Sequence, residues 1–203
     1  MLAAMTSLPL PMRAPGAGAA HACLRAATAD LHAGIDALFA GGLDSARQYR
    51  RYVLGMYRFA VDYEIAVDAP PRHSAWLASD LTWLSLDPLP AQGVRHPAPD
   101  AATRLGWRYV MAGSSMGARG LLRDARRLGH AEGHGATFLA RHATSGEWSG
   151  LRECLQAFDA DDAPRMTAAA SGARDAFALV RACFERSFDR LPSTAESATA
   201  DES

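Results

Sequence analysis

Three groups of residues have types and spacings that could do chemistry. His32 and Asp36 stand four apart, so on a helix the carboxylate lies one turn from the imidazole. It can accept the N–H of one ring nitrogen and leave the other free to bind a metal. Thr28, Ile35 and Phe39 share that side of the helix, a mixed polar and apolar face, and Arg25 lies two turns before His32, where a guanidinium could pair with an anionic ligand group. The second group is Gly106, Gly113, Gly117 and Gly120. At about 100° per residue they fall within roughly 60° of one another, so one helix face would be bare backbone. Each glycine costs a helix interior about 1 kcal/mol relative to alanine. Such a face admits another helix or a flat ligand such as a porphyrin, and the stripe alone does not choose between them. Ser114 and Ser115 lie in the same run, and glycine with serine in mid-helix allows a bend. The third group is His130, Glu132 and His134, where Gly129, Gly133 and Gly135 break the helix that would align two metal ligands. A polar connection is expected there.

The elements that must position these residues are helical. Apolar residues recur at three and four, and no segment alternates as a half-buried strand would, so the expected fold is all-α in a single domain. The first helix is predicted over about Leu24 to Phe39, stopped by Gly41 and Gly42, and the second starts at Asp44 or Ser45 and runs to Pro70 and Pro71. A third covers about Ser74 to Leu86, before a loop that Pro88, Pro90, Pro97 and Pro99 keep from being helical. The fourth, about Asp100 to Leu128, carries the glycines. A helix near Glu147 to Phe158 follows a Gly- and His-rich connection, and Asp161 or Asp162 with Pro164 opens a last one to about Leu191. Residues 1–20 read as a disordered leader, 21–191 as the domain, and 192–203 as a disordered acidic tail.

Composition narrows the function. The net charge of -1, with the acidic residues of the tail leaving +2 on the rest, argues against binding nucleic acid by bulk phosphate attraction. No run approaches the ~20 apolar residues of a membrane-spanning helix. All 21 basic residues are Arg, so any anion is gripped by a planar fork of donors. Cys23, Cys154 and Cys183 are scattered and odd in number, which points to neither a disulfide scaffold nor a zinc cluster and makes the cytoplasm the expected location. Arg119, Arg123, Arg126 and Arg127 form a solvated helix face or a docking patch for an acidic electron donor.

LRAATADLHAGID, from Leu24 to Asp36, resembles the proximal helix of heme oxygenases, and GWRYVMAGSSMGARGLL, from Gly106 to Leu122, resembles the kinked distal helix of their bacterial branch. The likeness continues in the same order through GHGATFLARH and SGARDAFALVRACFERSF, and spans roughly residues 21 to 190. The resemblance implies heme held between the two helices, as both cofactor and substrate, and cleaved to biliverdin, carbon monoxide and iron. It also implies O2 and an external reductant, delivered by a protein such as a ferredoxin with its reductase. By position, His32 falls on the axial iron ligand, Asp36 on its acidic partner and Arg25 on a basic residue at a propionate, with Thr28 on the same helix face. Gly113 and Gly117 fall on the distal glycines, Tyr109 on a tyrosine of a distal water network, and Arg181 on a basic residue facing a propionate. Val180 replaces the tyrosine that often precedes that arginine. Ser114 stands where mammalian members have aspartate, and Ser115 where bacterial relatives often have asparagine. A bacterial phytochrome is one implied acceptor of the biliverdin. The alternative is a heme-binding protein of the same fold for storage, sensing or delivery without turnover, and a third reading is a helical interaction module without heme.

Overall fold

The computed structural model describes residues 18–39 and 42–191. Among them the chain forms seven helices: α1 (Ala19–Leu38), α2 (Ala46–Ala66), α3 (His73–Trp83), α4 (Ala101–Arg127), α5 (Thr137–His142), α6 (Glu147–Gln156) and α7 (Ala163–Arg190). Residues 1–17 of the expected leader, Gly41 of the first predicted helix stop and the whole acidic tail lie outside the described residues. The first helix begins at Ala19, five residues before the predicted Leu24. No helix among the described residues is long and apolar enough to cross a membrane.

Side-chain caps set several boundaries. Ser45 accepts the Gln48 N–H at 3.2 Å to start α2, and Asp162 accepts the Arg165 N–H at 3.1 Å, with Pro164 in the first turn, to start α7. Asp100 caps α4 twice, accepting from the Thr103 N–H and hydroxyl, both at 2.8 Å. α5 was not foreseen. Its cap comes from a distant part of the chain: the two carboxylate oxygens of Asp80, on α3, accept the N–H groups of Thr137 at 2.7 Å and Phe138 at 2.9 Å.

α2 is the central element, buried on most of its circumference, including Arg51, Arg58, Asp62 and Glu64. These charges are satisfied within the fold. Arg58 forks onto Asp62 at 2.6 and 3.1 Å, and Arg51 donates twice to the Leu191 carbonyl at 2.5 and 2.9 Å. α7 packs along α4, α2 and α1, while α3 lies on α2 and α5, and α6 on α4 and α1. Where α4 crosses α7, Gly106 and Gly172 allow backbone to touch backbone. A Cβ on Gly106 would run into the Ala169 carbonyl and the Ala173 amide, and one on Gly172 into the Thr103 carbonyl. Thus the first glycine of the stripe serves helix packing.

Candidate functional site

The remaining glycines of α4 do something different. Nothing lies within 4 Å of where a Cβ on Gly117 would stand, Gly113 would meet only the Trp148 ring at 4.0 Å, and Gly120 only the Arg123 guanidinium at 3.9 Å. The second half of the stripe is therefore an open face. Both helix packing and an exposed backbone occur along one stripe, because α7 covers it at Gly106 and has left it by Gly113.

α1 supplies the other residues singled out in the sequence. His32 is exposed, its Nδ1 is 2.9 Å from Asp36 Oδ2, and its ring leans on Phe177 at 5.8 Å. Asp36 thus accepts a hydrogen bond from Nδ1–H, which leaves Nε2 with the free lone pair. Thr28 is buried and donates to the Leu24 carbonyl at 2.8 Å, while Arg25 is exposed. α1 and α4 come together through side chains near Tyr109, which is half-buried beside Thr28. Burial pushes the Tyr109 phenol up, against the opposing influence of Thr28. His21, Tyr109 and Trp148, from α1, α4 and α6, close this end as a ring cluster with centroids 5.4 to 6.1 Å apart. Arg181 donates to Glu185 at 2.7 Å, and its guanidinium lies 3.7 Å from where a Gly34 Cβ would be, so it sits at the edge of α1.

The two serines are already engaged. Ser114 donates to the Met111 carbonyl at 2.7 Å and Ser115 to the Ala112 carbonyl at 2.6 Å, a pattern that competes with the helix ladder. α4 nevertheless runs as one helix through both. Ser114 also lies 2.8 Å from His142 Nε2.

That contact leads to a buried polar group that sequence spacing did not reveal. His73 at the start of α3, His142 at the end of α5 and Glu147 at the start of α6 bring one ligand atom each within 4.8 Å of one another. His73 Nε2 is 2.8 Å from Glu147 Oε1, which the Arg72 guanidinium also contacts closely. Behind them, Glu64 of α2 accepts the N–H groups of Arg72, His73 and Ser74 at 2.8, 2.6 and 3.1 Å, and the Ser74 hydroxyl. Burial lowers His142 to about 4, so this imidazole is neutral. Burial is also the largest influence on His73, but hydrogen bonds to Glu147 and Glu64 outweigh it and raise the pKa. Both carboxyls are held low against their own burial, chiefly by their hydrogen bonds to His73. The residues lie 69 and 5 apart along the chain on three different helices, and no local motif joins them.

The expected polar connection forms around His130, Glu132 and His134, which point to different partners. His130 stacks on Tyr49 at 4.7 Å, Glu132 pairs with Arg141 at 2.8 Å, and His134 meets the edge of Trp83 at 4.7 Å. Arg119, Arg123, Arg126 and Arg127 are exposed, with Arg127 on Asp124 at 2.5 Å.

An α1 with an outward-facing imidazole, an α4 with an open glycine face and an α7 packed on both define the heme oxygenase-like helical fold. Among solved structures, the chain matches a heme oxygenase of Neisseria meningitidis, determined with NO and with CO bound, at 26% identity and a TM-score of 0.67. The match covers 87% of this chain and 94% of that one, and bears out the resemblance seen in the sequence. Comparison with family models and with characterised protein sequences gave no match.

Proposed function

We propose that the chain binds heme between α1 and α4 and cleaves it to biliverdin, carbon monoxide and iron, using O2 and electrons from a separate reductase. The observation that carries this reading is the free Nε2 of His32, fixed by Asp36, in a fold whose partner helix leaves Gly113 and Gly117 uncovered. The donor set suits the group: an imidazole nitrogen for the iron, and bare backbone that a flat ring can approach to contact distance. When bound, heme supplies the iron that activates oxygen and is itself the molecule consumed.

The remaining roles belong to the chain. His32 ligates through Nε2, and Asp36 keeps the tautomer and ring orientation. Gly113 and Gly117 present a wall that limits the direction from which the ring edge is attacked. Tyr109, Ser114 and Ser115 border the distal side, where each oxygen keeps accepting capacity for an ordered water that carries protons. Arg25 and Arg181 grip the propionates, Arg181 in competition with Glu185, and Thr28 holds Tyr109 in place. The exposed arginines on the C-terminal half of α4 suit an acidic electron donor such as a ferredoxin. Biliverdin then passes to an acceptor such as a bacterial phytochrome.

The alternative, heme binding without turnover, has one observation in its favour. The Ser114 and Ser115 hydroxyl protons are committed to backbone carbonyls and are not available to a ligand on the distal side. The test is an absorption time course: hemin is added to the protein, the Soret band recorded, and reductant supplied in air with catalase present. A histidine-type Soret band that decays into biliverdin absorption is expected. A stable band would select the alternative, and a band unchanged by His32→Ala would overturn the heme site itself.

A further inference from the structure

The buried group behind α4 has a bonding pattern that is incomplete. His142 Nε2 faces the Ser114 oxygen at 2.8 Å, and that hydroxyl has given its own proton to the Met111 carbonyl at 2.7 Å. Nε2 must then carry the hydrogen, so Nδ1 of the neutral ring is a bare lone pair. It is buried and has no hydrogen-bond partner. Glu147 Oε2, a second acceptor, lies 3.9 Å away. A buried acceptor facing a partly buried carboxylate oxygen without a donor between them is costly unless a cation joins them. His73 completes the set, with Nε2 towards Glu147 and Nδ1 towards Glu64 Oε1 at 3.5 Å.

We infer that His142 Nδ1, His73 Nε2 and the Glu147 carboxylate form a site for a first-row divalent cation of the zinc or ferrous class. Two imidazoles and one carboxylate are the donors such ions prefer. His142 has its orienting partner on the opposite nitrogen, Ser114, as a ligating histidine requires, while His73 Nδ1 faces the Glu64 carboxylate at 3.5 Å without a hydrogen bond. Ligand atoms bound at about 2.1 Å lie no more than ~4.2 Å apart, so the present 4.8 Å spread closes by small side-chain rotations. A cavity of about 170 Å³, lined by Tyr63, Arg72, Arg108, Gly150 and Glu147, reaches the site from the Glu147 side. Arg72 now provides the positive charge on Glu147. Its side chain is half exposed, and a cation would displace it to solvent. The proton shared by His73 and Glu147 leaves at the same time. This site backs onto the proposed heme cleft through Ser114 but does not depend on that reading.

The test uses the full chain without heme and Co2+ alone as the probe, followed through its ligand-field absorption. One Co2+ per chain is expected, displaced by Zn2+, with affinity reduced by about tenfold or more in His142→Gln and Glu147→Gln and unchanged in His32→Ala. Circular dichroism checks that the buried variants fold. Arg72→Gln alters a side chain at the surface and is expected to tighten binding several-fold, because the competing guanidinium is gone. Absence of the bands in both the parent protein and Arg72→Gln would mean that an ordered water alone occupies the gap, and would overturn the site. So would bands that survive His142→Gln and Glu147→Gln, or that vanish with His32→Ala.

Discussion

Replacing Gly117 with alanine should make the heme-free protein more stable and its ligand affinity worse. The added methyl meets nothing within 4 Å, so the substitution carries only the helix-interior preference for alanine. That preference is about 1 kcal/mol, and it raises the melting temperature of a chain this size by about 2–4 °C. Gly113→Ala has the same sign, since its nearest neighbour is the Trp148 ring at an ordinary 4.0 Å, and the pair together approach about 2 kcal/mol. The same methyl stands where a flat ligand must approach the backbone. Forcing one extra methyl into a close contact costs about 1–3 kcal/mol, which lowers hemin affinity by about tenfold or more. Thermal melts of the heme-free protein and a hemin titration on the same samples measure both effects. A lower melting temperature for Gly117→Ala would show that its face is covered. A higher one with unchanged hemin affinity would show that the face is open but is not where heme binds, and the reasoning would fail at that step.

Gly106→Ala, only two turns from Gly113, should behave in the opposite way. Its methyl would press on the α7 backbone, with a loss of about 3 kcal/mol and a melting temperature lower by roughly 6–12 °C. Asp80→Ala leaves the Thr137 and Phe138 amides buried without acceptors and should cost about 3 kcal/mol in chemical denaturation, whereas a loss below about 1 kcal/mol would mean that water replaces the cap. Burial pushes the Cys183 thiol up to about 11, so it stays protonated and unreactive at pH 8, whereas Cys23 and Cys154 are exposed. A disulfide-exchange reagent should therefore titrate two thiols in the folded protein and three in denaturant, and Cys183 should begin to react only as the pH approaches its raised pKa.

Much of this was legible in the sequence where the cause is local. A cap three residues from its amide, as at Ser45, Asp100 and Asp162, is written into the chain, and so is the one-turn spacing of His32 and Asp36. The glycine stripe was legible as a pattern but not as a division of labour. What separates Gly106 from Gly117 is the path of α7, which neither residue encodes. His73, His142 and Glu147 were invisible for a stronger reason. Each opens or ends a helix in an unremarkable context, and only the docking of α3, α5 and α6 brings them together. α5 was missed because six residues without a local cap carry too little signal for a helix to be read.

The remote cap on α5 also has a consequence for the order in which the chain folds. A helix of six residues cannot persist alone, so α5 must wait until Asp80 arrives with α3, from 57 residues away. His142 sits at the end of that helix and contacts Ser114 on α4. α4 is therefore braced by a late, non-local event, while α2 and its partners on α7 can assemble earlier. The Thr137 and Phe138 amides are consequently reporters of that step. Their hydrogens should exchange only when α3 lifts away, and in step with one another, since a single carboxylate holds both.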